Sequence, residues 1–184
     1  MDLFRGEASR KVALYLFLRR GSETLGSVQR AAGLSKQTAI WALNHLVADS
    51  VVSKAGQPDG FPRYSANRDH PLAAELMEMA VLTMGGNDDL VRKLAGMDAV
   101  SAIAVFGGYA KGTFGPGSDI DLLVVETRPD PAAHAALSEL EAAVLRMGIV
   151  LNPHIATEAA LRDGSRFMDS VAGGALKPIK GFAR

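Results

Sequence analysis

The chain has 184 residues, 48% of them hydrophobic, with twenty basic and twenty acidic side chains and no cysteine. This composition supplies apolar residues for a core and excludes both a disulfide framework and a cysteine-ligated zinc site. The length allows one or two domains. No window approaches the roughly 18 apolar residues that span a bilayer, and no signal-peptide pattern opens the chain, so we predict a cytoplasmic protein without a membrane partner.

The zero net charge conceals an asymmetry along the chain. Residues 1–70 carry ten Lys/Arg and six Asp/Glu, whereas residues 71–184 carry ten and fourteen. The N-terminal part is therefore the part that could meet an anionic polymer. Solvated surface charge would explain a difference of this size equally well.

Apolar periodicity and turn residues divide the first seventy positions into short elements. The patterns predict helices at 9–20 and 25–32, a third helix capped by Ser35, a strand at 51–54, a turn at 56–60 and a partner strand at 62–65. Three helices followed by a hairpin predict a winged helix over residues 1–70.

The segment from Gly33 to Leu46 resembles the turn and recognition helix of bacterial winged helix-turn-helix regulators of the ArsR/MarR type. The resemblance implies a homodimer that places this helix in the major groove of duplex DNA, because one recognition helix covers only a half-site. The residues that it places at the DNA are Ser35, Lys36, Gln37 and Thr38 of the helix and Lys54 and Arg63 of the wing. Trp41 could join them, but a lone tryptophan in a helix more often serves the core or an interface. A docking or dimerisation module would show the same periodicity.

The sequence from His70 onwards predicts a linker and a second domain. Proline is favoured at the first helical position, so Pro71 is predicted to begin an apolar helix at 72–82, within a linker or dimerisation segment at 71–86. The domain at 87–184 is predicted to contain a helix at 87–94, strands at 99–106, 119–126 and 149–155, helices at 129–147, from 157 and at 165–172, and a short strand at 176–179. We therefore predict an α+β protein: a winged helix followed by a small α/β domain with a mixed sheet.

The segment from Val105 to Val125 reads VFGGYAKGTFGPGSDIDLLVV and carries the chemistry. Asp119 and Asp121 are two apart in a predicted strand, so both project to the same side, roughly 6–7 Å apart. Neighbouring carboxylates repel each other and a divalent cation relieves the repulsion, which predicts a site for Mg²⁺ or Mn²⁺. The preceding glycines let backbone N–H groups approach a phosphate closely. The loop and the acidic pair together would hold one triphosphate.

This segment resembles the signature of the DNA polymerase beta superfamily of nucleotidyltransferases, in the form of its small stand-alone members. The resemblance implies transfer of a nucleoside monophosphate from ATP or another NTP to a hydroxyl acceptor, with release of pyrophosphate. It also implies that Asp119 and Asp121 are catalytic metal ligands. The implied nucleotide-binding residues are Gly107, Gly108, Lys111, Gly112 and Ser118.

Two positions depart from that signature. Gly108 stands where a serine is common, which removes one hydroxyl but leaves a backbone amide. The family's third carboxylate lies on the next strand, where residues 148–154 contain no acid. Asn152 is the candidate third metal ligand there, although an amide oxygen carries no charge and accepts no proton. His154 could act as the base if it points into the site, and an ordinary satisfied histidine is the alternative.

Three functions fit these patterns. The first is an enzyme that transfers AMP to a protein or small-molecule hydroxyl while the N-terminal domain holds DNA. The second is a transcription regulator whose transferase-like domain senses a nucleotide without turnover. The third is an antitoxin-like protein in which both domains serve interactions. The chain lacks the length for the additional helical domain with which polymerases hold a template, so template-directed synthesis is not expected.

Overall fold

A computed structural model describes residues 4–56, 60–111, 115, 117–162 and 176–181. The chain forms two compact units, residues 1–86 and 87–184. The elements of the first unit are the helices α1 (Glu7–Leu18), α2 (Leu25–Ala32), α3 (Lys36–Ala48) and α4 (Ala73–Leu82) and the strands β1 (Glu23–Thr24), β2 (Val52–Ala55) and β3 (Arg63–Ala66). Those of the second are the helices α5 (Asp88–Ala95), α6 (Gly107–Ala110), α7 (Pro131–Arg146) and α8 (Glu158–Arg162) and the strands β4 (Val100–Phe106), β5 (Ile120–Glu126), β6 (Leu151–Thr157) and β7 (Lys177–Lys180).

The first unit is built around α1, whose residues 12–18 are all buried. The helices α2, α3 and α4 each pack against it. At its C-terminal end, the guanidinium of Arg68 donates hydrogen bonds to the carbonyls of Phe17 (2.6 Å) and Arg19 (3.2 Å). These bonds satisfy carbonyls that a helix end otherwise leaves unpaired.

Side-chain caps set the starts of the next two helices. Thr24 Oγ1 accepts from the Ser27 amide at 3.1 Å before α2, and Ser35 Oγ accepts from the Thr38 amide at 3.1 Å before α3. A hydroxyl at the N-cap satisfies one of the free amides of the first turn. Gly33 ends α2 in the left-handed conformation, with a φ of 64°.

A small antiparallel sheet with the strand order β1-β3-β2 completes the first unit. The two-residue strand β1 was not predicted from the sequence. It pairs Glu23 with Tyr64 and Thr24 with Arg63, which adds a third strand to the predicted hairpin.

The predicted start of α4 at Pro71 is wrong. The helix begins at Ala73, because a turn intervenes in which Ala73 N–H donates to the carbonyl of His70 (2.9 Å) and Leu72 N–H donates to the His70 ring (3.1 Å). The helix packs against α1 within the first unit.

The second unit contains a mixed four-stranded sheet with the order β6-β5-β4-β7. The strand β5 pairs parallel with β6 and antiparallel with β4, and β7 is antiparallel to β4. Helices α5 and α7 pack against each other and the sheet. Asp130 caps α7 by accepting from the Ala132 amide at 2.8 Å, with Pro131 next to it at the first helical position. Residues 122–126 of β5 are all buried, so β5 is buried on both faces.

The strand β6 lies at one end of the described sheet and carries Pro153. The Ile120 amide donates to the carbonyl of Val150, and Ile120 stands opposite Leu151 in the parallel register. In such a register the amides of Asn152 and His154 point towards β5, whereas the nitrogens at 151, 153 and 155 point away. Pro153 therefore removes no hydrogen bond from the ladder.

The second unit also contains a helical turn that the sequence did not indicate. Residues 107–110 were predicted as loop and form the single helical turn α6. The predicted helix at 165–172 lies outside the described residues. No helix in the described part of the chain is both long and apolar enough to cross a membrane.

Candidate functional site

Three strand ends meet at one edge of the second unit's sheet: the end of β4 and the beginnings of β5 and β6. Phe106, the last residue of β4, stands directly opposite Asp121 on β5, and Asp121 stands opposite Asn152 on β6. Directly opposed residues share a face of the sheet. The register therefore brings a carboxylate and an amide together where the chain leaves β4 and enters α6.

Gly107 and Asp121 approach each other so closely that no side chain fits between them. A Cβ atom on Gly107 would lie 2.0 Å from Asp121 Oδ2, and Gly107 has a φ of 68°. Only glycine adopts that conformation without strain and also leaves room for the carboxylate. The first glycine of the loop is thus required by the geometry at Asp121.

Asn152 supplies the polar neighbour of Asp121. Its side-chain amide Nδ2 donates to Asp121 Oδ1 at 3.3 Å, and both residues are half-buried. Because the amide is uncharged, it does not repel the carboxylate as a second acid would, and its N–H group forms a favourable hydrogen bond. The sequence identified Asn152 as the residue in this position, but its hydrogen bond depends on the register of β5 and β6.

The remaining predicted site residues lie in the segment between α6 and β5. Asp119 is exposed and immediately precedes β5, so it lies just outside the strand in which it was predicted. Gly108 lies in α6, Lys111 is exposed directly after it, and Gly112 lies outside the described residues. Ser118 Oγ accepts from the Gly115 amide at 3.1 Å, and the Ser118 amide donates to the Gly115 carbonyl at 3.0 Å. A hydroxyl that accepts from an amide can still donate its own proton, so Ser118 retains the chemistry to donate to a phosphate oxygen.

His154 lies on the same face of β6 as Asn152, one strand repeat further from the edge, or about 6–7 Å along the strand. It stands opposite Leu123, and its ring packs edge-on against Phe106 with 5.2 Å between ring centroids. The sequence did not indicate this aromatic packing, which places the imidazole against the side chain of the residue directly opposite Asp121.

The donor set at this edge suits a nucleotide-borne magnesium ion. Magnesium is usually held by one or two carboxylates together with substrate phosphates and water. Asp119, Asp121 and the amide oxygen of Asn152 are donors of that kind. Among the residues that the structure describes, no group of three His, Cys, Asp or Glu side chains could hold a metal ion by itself.

In the first unit, the predicted DNA-contacting residues fall on α3 and on the small sheet. Ser35, Lys36 and Gln37 are exposed at the start of α3, and Lys54 is exposed on β2. Thr38 is half-buried, and its hydroxyl shares a 2.8 Å hydrogen bond with Ser35 Oγ. Arg63 is half-buried on the central strand β3.

Comparison with known protein families adds one finding. Residues 88–169, a little under half of the chain, match the model of the nucleotidyltransferase domain. No curated protein matches the chain. The match spans Gly107, Asp121 and Asn152, and for this region it agrees with the resemblance inferred from the glycine and aspartate motif. Residues 88–169 of this chain are a nucleotidyltransferase domain.

Proposed function

We propose that the second unit binds a nucleoside triphosphate with Mg²⁺, or with Mn²⁺, at the sheet edge formed by Gly107, Asp119, Asp121 and Asn152. The observation that carries the proposal is the close approach of Gly107 to Asp121, which places the backbone after β4 directly beside a carboxylate. A triphosphate could lie against that backbone, with donors from Gly108, Lys111 and Ser118. Gly112 belongs to the same proposed set.

The metal would supply charge neutralisation of the phosphates. Asp119 and Asp121 would hold it, with the amide oxygen of Asn152 as a third ligand. Lys111 would add a positive charge near the phosphates, and Ser118 would donate its hydroxyl proton. These roles concern the binding of the nucleotide and the metal and do not depend on turnover. They therefore apply equally to an enzyme and to a nucleotide sensor.

We propose that any transfer of nucleotide is slow. An acceptor hydroxyl must lose a proton, and Asn152 cannot accept one. His154 packs against Phe106 a full strand repeat away from Asn152. The reaction class is the transfer of AMP, or another nucleoside monophosphate, to a hydroxyl of a protein or a small molecule. The alternatives are a nucleotide sensor without turnover and an antitoxin-like interaction protein that binds no nucleotide.

Calorimetry of the full chain with Mg-ATP separates the nucleotide-binding proposals from the interaction proposal. The isosteric double variant Asp119→Asn/Asp121→Asn should lose magnesium-dependent binding while its melting temperature stays close to that of the wild type. Asp98→Asn is the matched control, because Asp98 is an exposed acid near the opposite end of β4. Equal Mg-ATP binding by the wild type and the double variant would refute the site.

A second proposal concerns the first unit, residues 1–70 with the segment 71–86. We propose that it is a winged helix that binds duplex DNA as a homodimer, with 71–86 as the linker or dimerisation segment. The exposure of Ser35, Lys36 and Gln37 at the start of α3, together with Lys54 on β2, supports this proposal. Electrophoretic mobility shifts across a salt series test it, since phosphate contacts by Lys36, Lys54 and Arg63 make affinity fall with salt. If no duplex shows salt-sensitive binding, the result would favour the alternative that the first unit is a docking or dimerisation module.

A further inference from the structure

The outward face of α3 carries one exposed tryptophan between two side-chain amides. The helix buries Ala39, Ala42, Leu43 and Leu46 against the rest of the first unit. The residues Gln37, Trp41, Asn44 and Ala48 are exposed and follow one another at spacings of four, three and four, so they form one stripe. We call these four residues the outer stripe. At its centre is the chain's single tryptophan, which is 41% exposed.

The indole of Trp41 has a fixed neighbour on the same helix. The ring of His45, one turn later, meets it edge-on, with 4.4 Å between ring centroids and 70° between the planes. Packing of this kind restricts the rotamers that the indole can adopt. A large aromatic side chain with a restricted set of rotamers is thus available on the exposed face of α3.

The neighbours of Trp41 indicate what that contact would be. Gln37 and Asn44 flank it by one turn on either side, and side-chain amides can form paired hydrogen bonds to adenine in the major groove. Apolar side chains pack against the C5-methyl group of thymine, the partner of adenine. Lys36 adds positive charge at the start of the same helix, in a region of the chain with four more basic than acidic side chains over residues 1–70.

We infer that Trp41 is a sequence-reading residue that packs against the methyl group of a thymine in duplex DNA, with Gln37 or Asn44 on the neighbouring adenine edge. This inference rests on the proposed DNA binding of the first unit and deepens it. It assigns the phosphate contacts and the base contacts to different residues. Lys36 contributes affinity for duplex DNA of any sequence, and Trp41 contributes sequence specificity.

The test begins with a duplex of about 30 base pairs that the whole 184-residue chain selects from a randomised pool. This length accommodates two half-sites one helical turn apart. Each thymine of the selected site is then replaced singly by deoxyuridine, which removes only the methyl group. At one thymine per half-site the replacement should weaken wild-type binding about fourfold, the value of one buried methyl group. Trp41→Ala should bind the selected duplex more weakly and be indifferent to the replacement, and Trp41→Phe should regain part of the sensitivity.

Lys36→Ala is the matched control on the same helix. It should lower the salt dependence of binding by about two units in the logarithmic slope, one for each subunit of the dimer, and keep the sensitivity to the thymine methyl. Trp41→Ala should leave the slope unchanged. Circular dichroism and melting of each variant verify that the helix is retained.

The outcomes separate the two proposals. If the wild type binds no duplex even at low salt, DNA binding itself is refuted and the role of Trp41 falls with it. If the wild type binds DNA but its selected site is insensitive to every thymine replacement, or if Trp41→Ala keeps the wild-type sensitivity, only the inference about Trp41 is refuted.

Discussion

Asn152 on β6 donates a 3.3 Å hydrogen bond to Asp121 on β5 from the directly opposite position of a parallel strand pair. The pairing makes Asn152 the residue that would share a metal ion or an acceptor with Asp121. A carboxylate at this position would carry a negative charge towards a metal ion and could accept the proton of an acceptor hydroxyl, whereas the neutral amide can do neither. We therefore expect the balance between binding and turnover in this domain to depend on one uncharged side chain.

Asn152→Asp tests that dependence directly. In the absence of divalent ions the new carboxylate would lie beside Asp121 and repel it, so the variant should melt at a lower temperature than the wild type. Magnesium should raise the melting temperature of the variant by more than it raises that of the wild type. With labelled ATP and a cell lysate as the source of acceptors, the variant should give more labelled product, by at most the 10²–10⁴-fold that a general base typically contributes. Robust labelling by the wild type that Asn152→Asp leaves unchanged would show that this position does not limit the chemistry.

Gly107→Ala should abolish nucleotide binding and also lower stability. The added Cβ would lie 2.0 Å from Asp121 Oδ2 and would force that carboxylate out of place, in a backbone conformation with a φ of 68°. The left-handed conformation alone costs about 1–2 kcal/mol for a residue with a side chain. Calorimetry with Mg-ATP and urea denaturation measure the two effects. Gly115→Ala serves as the control, because no atom of the described residues lies within 4 Å of its added Cβ; equal losses in both variants would contradict the special role of Gly107.

Among the described residues, the contact between the buried Glu126 and His134, whose side chain is 47% exposed, is one that we expect to matter for stability. Glu126 is 2% exposed at the end of β5, and His134 Nε2 lies 3.2 Å from its carboxylate. Removing the partner leaves a buried polar group unsatisfied, which costs about 1–3 kcal/mol. His134→Ala should therefore lower the free energy of unfolding by that amount, measured by urea denaturation. In a Glu126→Gln background the same change should cost less, and equal costs in both backgrounds would show that the two side chains do not interact.

Tyr15 should make the first unit sensitive to alkali. Burial, first, and the negative charge of Glu23, second, raise the pKa of its phenol from 10.0 to about 12. The unfolded chain therefore loses this proton at a lower pH than the folded chain does. The stabilisation from Tyr15 is fully present below about pH 10 and is lost as the pH rises towards 12. Urea denaturation between these values should show a smaller decline for Tyr15→Phe, which cannot titrate; parallel curves for the two proteins would contradict the assignment.

The sequence predicted elements best where the signal is local. The hydroxyl before α3 and the Asp130-Pro131 pair before α7 both mark helix starts, and the structure shows Ser35 and Asp130 acting as caps. The apolar run after Asp121 likewise predicted a buried strand, and β5 is buried on both faces.

What the sequence did not predict depends on contacts between distant residues. The strand β1 has only two residues and forms because β3 offers a free edge, so no periodicity could reveal it. The glycine signature pointed to Gly107 but not to the 2.0 Å approach to Asp121 that makes glycine necessary. The neighbour of His154 could not be foreseen either, because Phe106 meets it only through the alignment of β4, β5 and β6.

Pro153 has a consequence for how the protein behaves at high concentration. The end strand of a sheet offers a row of unpaired backbone groups to which the strand of another molecule can add, and this is a common route to aggregation. In β6 the backbone nitrogens that point away from β5 are those of residues 151, 153 and 155. The middle one belongs to Pro153 and carries no hydrogen. A strand that paired with β6 from outside would find no backbone N–H donor at Pro153, in the middle of β6. The pairing of β5 with β6 keeps all of its hydrogen bonds. We therefore expect this residue to disfavour strand addition at the β6 side of the described sheet without weakening the pairing that holds Asp121 and Asn152 together.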